Sequence, residues 1–533
     1  MSPWLLMLIP IVGAIAIFLT KAVLAKWISL GVSLLVFVIS ILMAIQFEQW
    51  EQMGIGLLSE TSWLNEMGLK FTLDLGADSV AMMLVLLTTL LVPLCVLGSF
   101  SAITFRRQEY YAWLLILETA MLGVFLAQDL ILFYVSFELT LVPMFFLIAI
   151  YGGKNRAHAS VKFFIYTFTG SLFTLAGFVY VAWQYAQTGA GGWSFAINDL
   201  TTFAATQLSA SEQGWILLAL LAGFAVKIPV FPLHTWLPIA HTEAPTAGSV
   251  ILAGILLKLG TFGVYRFVLP MVPEAVVAWA PSIAILSIIG ILYAALICWV
   301  QDDVKKLVAY SSVSHLGFCV LGLVALNPIG LEGAVLYMIN HGLSTGALFF
   351  LIGMMYERYH TRDMNKIGGL AKSMPVWSFF MVFFVLASVG LPGLNGFVSE
   401  FMCLLGTFVA TGDPTNKWPG VLGPNYAAVA TLGMVLTAMY LLIMVGKVVF
   451  GSLKEPDTTD RGSLPIDLSL REIGILAPLA ALCIWIGVQP TVLTDAMSKS
   501  VEQVLKPYPA LVDQYQSENQ NTISIPNKED HHG

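Results

Sequence analysis

The sequence predicts an all-α polytopic membrane protein of about fourteen transmembrane helices, arranged as two inverted five-helix repeats that each contain one broken helix. Three observations carry that expectation: the apolar content of the chain, the length of its apolar runs, and a short internal repeat whose spacing covers an odd number of runs. Of 533 residues, 58% are hydrophobic and 11% charged, and the mean hydropathy is +0.83. A water-soluble core cannot hide that much apolar surface, so lipid is the solvent. Hydrocarbon offers the backbone no hydrogen-bond partner, and each crossing segment must be a helix or join a closed barrel. The runs are about 17–25 residues long, the length of a membrane-spanning helix, whereas barrel strands would alternate over about ten.

In chain order the runs begin near residues 4, 27, 79, 112, 130, 163, 214, 246, 276, 304, 332, 375, 426 and 473. The first, Trp4 to Leu19, has no basic residue before it and is followed by Lys21 and Lys26, an order that favours a retained helix over a cleaved signal peptide. The odd-numbered loops hold Lys21, Lys26, Arg106, Arg107, Lys154, Arg156, Lys162, Lys305, Lys306, Arg358, Arg362, Lys366, Lys372, Lys447, Lys454, Arg461 and Arg471. The even-numbered loops hold only Lys70, Arg266 and Lys417. By the positive-inside rule the odd loops face the cytoplasm, which places both termini on the outer, periplasmic side of a bacterial inner membrane. A missed or invented span would scramble that asymmetry, so it also supports the count.

The repeat is TGSLFTLAG at 169–177 and TGALFFLIG at 345–353, with six identities in nine positions at an offset of 176 residues. The same offset lays Tyr134 on Tyr310 and Ser136 on Ser312, and brings Glu138 onto Ser314 beside His315. Five helices fit in the offset, so the two copies would be inverted in the membrane, a plan common among ion transporters. The segments are then 1–110 (helices 1–3), 111–270 (first repeat, helices 4–8), 271–455 (second repeat, helices 9–13) and 456–533 (last helix and polar C-terminal tail). Each repeat carries a proline-interrupted run at the matching place: AVKIPVFPLHTW with Lys227, and VGLPGLNGFVSEF with Glu400. Proline removes a backbone donor, so each run should break at mid-depth and line a cavity.

Charges within apolar runs are the candidate site. A Glu or Lys at the bilayer centre costs about 2.5–3.5 kcal/mol on insertion scales, so such groups need partners or water. Glu138, Lys227, Lys258 and Glu400 are the primary candidates for proton transfer, with His315 as a relay between them. Glu118, in an unbroken helix, and the histidines His234 and His341 are secondary relay candidates. A buried Glu–Lys pair is switched by small motions, because separation strips each charge of its counter-ion; lysine suits this better than arginine, which stays charged. Imidazole both accepts and donates protons near neutral pH. His241 shares a polar loop with Glu243 and reads as a satisfied structural histidine.

Other chemistries are set aside. The net charge of −7 lies in loops and in the tail past about residue 499, and points to no nucleic-acid partner. Cys95, Cys298, Cys319, Cys403 and Cys483 stand singly in apolar runs, without the paired spacing of a zinc or iron–sulfur site, so no metal site is expected. No phosphate-cradling loop occurs, and the glycines of GAGGWS at 189–194 fall in an outer loop.

The segments KIPVFPLHTWLPIAHTEAPTAGSVILAGILLKLGTFGVYRF at 227–267 and FYVSFELTLVPMFFLIAIYGG at 133–153 resemble the antiporter-like subunits of proton-pumping NADH:quinone oxidoreductase, respiratory complex I. The likeness covers most of the chain, including DDVKKLVAYSSVSHLGF at 302–318 and LPGLNGFVSEF at 391–401. Glu400 stands where the L and N branches and the cation/proton antiporter subunits carry Lys, and so does the short tail's length place the chain nearer the subunit M branch and its photosynthetic relatives. Ile239 stands where many members of that branch have Asp, so no role is carried over to it.

The resemblance implies a proton-translocating membrane subunit of an oxidoreductase, with L-like and N-like neighbours in the lipid bilayer. It also implies that NADH, flavin (FMN), iron–sulfur clusters and quinone are bound by partner subunits, with no redox centre in this chain. In that reading Glu138 tunes Lys227, and a proton passes by Lys258 and His315 toward Glu400. The alternatives are a subunit of a multisubunit Na⁺/H⁺ antiporter, or a structural subunit whose buried charges only hold helices in register.

Overall fold

The computed structural model describes residues 2–47, 57–59, 62–63, 69–188, 192–413, 416–456 and 464–523. Residues 189–191 of the glycine-rich loop, Arg461 and the chain after 523 lie outside them. Each of the fourteen starts read from the sequence falls on a helix: α1 (Trp4–Phe18), α2 (Ala25–Gln46), α3 (Ser79–Gly98), α4 (Arg107–Leu126), α5 (Leu130–Leu139) running into α6 (Leu141–Tyr151), and α7 (Arg156–Gln187). After a short α8 (Ile197–Gln207) come α9 (Ala210–Lys227), α10 (Leu237–Glu243), and a continuous helical rod of α11 (Thr246–Ile251), α12 (Leu257–Gly263) and α13 (Leu269–Met271). Then follow α14 (Pro273–Trp299), α15 (Val304–Leu323), α16 (Pro328–Tyr359), α17 (Pro375–Val389), α18 (Asn395–Val409), α19 (Pro424–Val448) and α20 (Leu470–Val488). Among the described residues eleven helices are long and apolar enough to cross a membrane, and α1, α17 and α18 are shorter apolar helices.

Local chemistry sets the ends. Asp78, Asp129, Asp303 and Asn327 each accept a backbone N–H in the first turn of α3, α5, α15 and α16, at 2.7–2.9 Å. Ser209 with Glu212 and Ser469 with Glu472 form capping boxes on α9 and α20. Prolines whose missing N–H costs nothing in a first turn open α14, α16, α17 and α19.

Two elements are fully buried along their most apolar stretch, the rod 246–271 and the 32-residue α16. They pack on each other, and α15, α18, α20 and α3 surround α16. Apolar side chains are exposed instead on α1, α2, α7, α14, α17, α19 and α20, where lipid or neighbouring subunits can cover them.

Three features depart from the reading of the sequence. The segment past α20 is helical, as α21 (Thr491–Leu505) and α22 (Tyr508–Ile523), and is not merely a polar tail. Met497, Val501, Leu505 and Tyr508 lie on one buried stripe, Ser500 bonds Ser79 at 2.7 Å, and the Tyr508 hydroxyl donates to the Leu269 carbonyl at 2.7 Å. The stripe is too narrow to read as a membrane-spanning run, which is why hydropathy passes over it. Short strands also form: β1 (Leu57–Ser59) pairs with β4 (Leu75–Ala77), and β3 (Leu69–Thr72) pairs with both β2 (Ser62–Trp63) and β5 (Trp193–Ser194). Finally, two cations assigned to loops are interior. Arg358 is fully buried and forks onto Glu472 at 2.9 and 2.8 Å, and the Lys305 ammonium donates to the Ala244 carbonyl at 2.6 Å.

Candidate functional site

Pro143 has no N–H for the carbonyl of Leu139, four residues before it, and the α5–α6 span accordingly breaks at Thr140. Glu138 sits in the last turn before the break, half-buried, facing Ser171 of α7; its Oε1 has no hydrogen-bond partner among the described residues. Across from it, α7 and α9 touch backbone to backbone. A Cβ on Gly170 would lie 2.8 Å from the Ala222 carbonyl, and one on Gly223 would lie 2.2 Å from Thr174 Oγ1. That approach seats Lys227, the last residue of α9, beside the break in α5–α6.

The chain leaves the helix after Lys227 because Pro229 and Pro232 follow, and no helix resumes until Leu237. The Trp236 indole donates to the Val226 carbonyl at 2.9 Å, satisfying an acceptor at the broken end. Lys227 is 3% exposed; its ammonium bonds Thr140 Oγ1 at 3.1 Å and lies 4.2 Å from the centre of the Phe137 ring. A cation at a helix C-terminus and over a ring face is well placed electrostatically. The expected Glu138–Lys227 ion pair is not closed: among the described residues, none of the ion pairs within 4.0 Å joins them.

Lys258 lies on the interior rod, on the α12 stretch between two π-helical turns, Leu252–Leu256 and Val264–Val268. Such turns are rare and favour functional sites. Its fully buried ammonium folds back onto the Ala253 carbonyl and meets His341 Nδ1 at 2.6 Å. The far end of the rod is clamped where Arg266 bonds Gln128 Oε1 at 2.7 Å and faces Asp78 Oδ2 at 3.7 Å. Burial raises the Asp78 carboxyl above its usual range, and the Arg266 charge pulls it back.

From His341 the polar groups continue along α16 and α15. The ring centres of His341 and His315 are 5.8 Å apart. His315 Nδ1 lies 2.8 Å from the Tyr337 hydroxyl, which donates to Glu400 Oε1 at 2.7 Å; His315 Nδ1 and Glu400 Oε1 are themselves 3.4 Å apart. Glu400 is in the second turn of α18, after the chain breaks over 390–394. Gly390, with φ +84°, closes α17 in the left-handed conformation, and a Cβ there would lie 2.8 Å from Glu400 Oε2. Asn340 donates to the Asn395 carbonyl at 2.8 Å and to Ser399 Oγ at 3.1 Å, tying α16 to the start of α18. These groups border a cavity with about 10 Å³ of room for a water centre, lined by His315, Tyr337, Asn340, His341, Ser399 and Glu400 among others. That is about one water's worth.

Lys258, His315, His341 and Glu400 are thus brought together, and Lys227 and Glu138 form a separate cluster. His234 is apart from both, stacked on Phe231 with ring centres 5.8 Å apart. Glu118 is fully buried on α4 and neither oxygen has a hydrogen-bond partner among the described residues. His241 is not the satisfied structural histidine its loop suggests: it stacks on Phe349 at 4.7 Å, and neither ring nitrogen has a partner among the described residues. Sequence reasoning passed over Tyr337, whose hydroxyl joins His315 to Glu400, and Thr140, whose hydroxyl holds the Lys227 ammonium. The available signal was the run YMINHGLST, polar at Tyr337, Asn340, His341, Ser344 and Thr345 inside an otherwise apolar helix.

Comparisons with known proteins agree on one relationship. The family profile described as "NADH:quinone oxidoreductase/Mrp antiporter, TM" matches residues 127–413. The chain is 40% identical over 489 residues to NADH-quinone oxidoreductase subunit M of Rhodobacter capsulatus, covering 91% of each chain. It superposes with a TM-score of 0.81 and 29% identity on a chain of respiratory complex I from Thermus thermophilus with bound NADH, covering 95% of this chain and 99% of that one. A chain of the Mrp complex from Dietzia sp. DQ12-45-1b matches with a TM-score of 0.78 at 20% identity, a likeness of fold alone.

Proposed function

Since the chain belongs to the subunit M family of NADH-quinone oxidoreductase, we propose that the buried run from Lys258 to Glu400 is the route by which it moves protons. It is a proton-translocating membrane subunit of that oxidoreductase. The observation that carries the route is its continuity: Lys258 on the interior rod, His341 and Tyr337 on α16, His315 on α15 and Glu400 on α18 form one line of proton-exchanging groups. Buried polar groups in an apolar interior are costly unless satisfied, and here Lys258 bonds His341 on one side of the water-sized cavity while His315, Tyr337 and Glu400 bond in series on the other.

Glu138 and Lys227 act as the switch that loads this line. Lys227 rests on a neutral hydroxyl, so a modest swing toward Glu138 would exchange a hydrogen bond for an ion pair and change how readily the ammonium releases its proton. The redox energy comes from partner subunits, which hold NADH, flavin, iron–sulfur clusters and quinone. The neighbours in the bacterial inner membrane are L-like and N-like subunits, fitted to the exposed apolar faces of the outer helices. Fourteen spans in two inverted repeats, helices 4–8 and 9–13, with both termini periplasmic, fit the helix positions and the matched interruptions after Lys227 and after Val389.

Replacing Lys258 with Ala or Glu400 with Gln in the intact complex should abolish quinone-driven proton pumping in membrane vesicles while the complex still assembles; full pumping would refute the route. Co-purification separates the antiporter alternative, since a small all-membrane complex without flavin-bearing subunits would favour it.

A further inference from the structure

Tyr337 is the one member of the line whose unperturbed side chain neither carries charge nor titrates near neutral pH, and its hydroxyl touches both the donor and the acceptor of the last step. It lies 2.8 Å from His315 Nδ1 and 2.7 Å from Glu400 Oε1. We infer that Tyr337 relays the proton from His315 to Glu400 through its hydroxyl, as the last link of a line whose polarity is set by its two charged ends. The inference rests on the proposed Lys258–Glu400 route and names the group that completes it.

The polarity follows from the two ends. An ammonium only donates, so at 2.6 Å from Lys258 the His341 Nδ1 is the lone-pair nitrogen and its Nε2 carries the hydrogen. At the other end an ionised carboxylate only accepts, so the Tyr337 hydrogen is committed to Glu400 Oε1. The Tyr337 oxygen must then accept from His315, whose Nδ1 carries the hydrogen and whose Nε2 has the lone pair. The two remaining nitrogens, His341 Nε2 with its hydrogen and His315 Nε2 without, have no other partner among the described residues, and both rings border the same water-sized cavity. Every group therefore points its hydrogen toward Glu400.

One sweep along the line balances. A proton leaves the Lys258 ammonium for His341 Nδ1, the Nε2 proton of His341 crosses the water-sized cavity to His315 Nε2, the Nδ1 proton of His315 passes to the Tyr337 oxygen, and the Tyr337 hydroxyl proton passes to Glu400. Lys258 ends as a neutral amine and Glu400 as a neutral acid. The three groups between keep their charge, but both histidines exchange tautomer and the tyrosine hydroxyl ends turned toward His315. A second sweep in the same direction needs those hydrogens turned back, so the hydroxyl rotation of Tyr337 acts as a reset.

The test is made in the intact complex in its own membranes. Tyr337→Phe keeps the ring and removes the hydroxyl, and quinone-driven pumping should fall about tenfold. That is less than the roughly 10²–10⁴-fold typical of losing a positioned proton-transfer group, because His315 Nδ1 still lies 3.4 Å from Glu400 Oε1. Ring-fluorinated tyrosines of graded acidity, placed at 337 by an expanded code, distinguish a relay from an anchor: pumping should track the acidity of the phenol at unchanged assembly. A flat response across that series, or wild-type pumping by Tyr337→Phe, overturns the inference. If Lys258→Ala and Glu400→Gln lose pumping while Tyr337→Phe does not, only the tyrosine step fails; if all three pump normally, the route fails with it.

Discussion

Glu138 and Lys227 in the first half of the chain and His315, Tyr337 and Glu400 in the second are built from the same parts, a carboxyl and a proton-exchanging base beside a broken helix, although Glu138 is half-buried and Glu400 fully buried. They are joined differently. In the first region the two charged groups do not touch, and Lys227 is parked on the Thr140 hydroxyl and the Phe137 ring. In the second, a phenol fills the gap and the groups bond in series. The helix ends differ in sense as well. Lys227 closes α9 at its C-terminal, partially negative end, whereas Glu400 follows the N-terminal, partially positive end of α18. Each charge is thus stabilised where it stands without its counter-ion. An open pair can be switched by moving one side chain; a bonded series conducts but cannot be opened without breaking a hydrogen bond. On the proposed route, the contrast fits gating in the first region and conduction in the second.

The largest effect should come from cutting the conductor. Lys258→Ala removes the group that feeds His341, and pumping should fall by at least a hundredfold, within the range for loss of a proton-transfer group, about 10²–10⁴. Retention of more than a tenth of the wild-type rate would erase the distinction between the regions. A smaller loss is expected at the gate. Thr140→Val keeps the shape of the side chain and removes the acceptor of Lys227, at a cost of about 1.5–3 kcal/mol for a hydrogen bond to a charged group. Lys227 should then move toward Glu138, slowing pumping about tenfold, with the shift visible as a carboxylate band change in infrared difference spectra. An unchanged spectrum with unchanged pumping would show that Thr140 does not hold the gate open.

Much of this was legible in the sequence, for identifiable reasons. Helix positions follow from apolar run length, and the breaks after Lys227 and Val389 follow from Pro229, Pro232 and Pro392. Lys258, His315 and Glu400 stood out because charge and imidazole are rare in apolar runs. What stayed hidden depends on tertiary packing. Thr140 and Tyr337 are common residues in apolar helices, and only their position against Lys227 and Glu400 gives them a role. Arg358 read as a loop cation because run length ends near it, yet Glu472, more than a hundred residues on, draws it inside. The helices α21 and α22 were missed because a stripe of one residue per turn leaves average hydropathy low.

Gly390→Ala places a Cβ 2.8 Å from Glu400 Oε2 and forces alanine to φ +84°, a conformation that costs about 1 kcal/mol or more for a residue with a Cβ. The Glu400 carboxyl must move aside, lengthening its bond from Tyr337, and a fall in pumping of about three- to tenfold is expected at normal assembly. The alanine at this position disturbs only the conducting region, so a wild-type rate would mean that the Tyr337–Glu400 distance is not limiting.

The smallest effect is expected from Glu118→Gln, and it tests whether burial alone makes a carboxyl functional. Glu118 is as deeply buried as Glu400, but no cation faces it and neither oxygen has a hydrogen-bond partner among the described residues. A side chain with no charged neighbour loses little when an amide of the same shape replaces it, so assembly and pumping should stay within about twofold of wild type, equivalent to less than about 0.5 kcal/mol. Glu400→Gln, the same substitution at equal burial, removes the acceptor of Tyr337 and should abolish pumping. Measured side by side, the two variants separate the cost of burying a carboxyl from the use made of it. A large loss at Glu118 would extend the gating region from α5 onto α4, and the division between an open pair and a bonded series would have to be redrawn around three carboxyls.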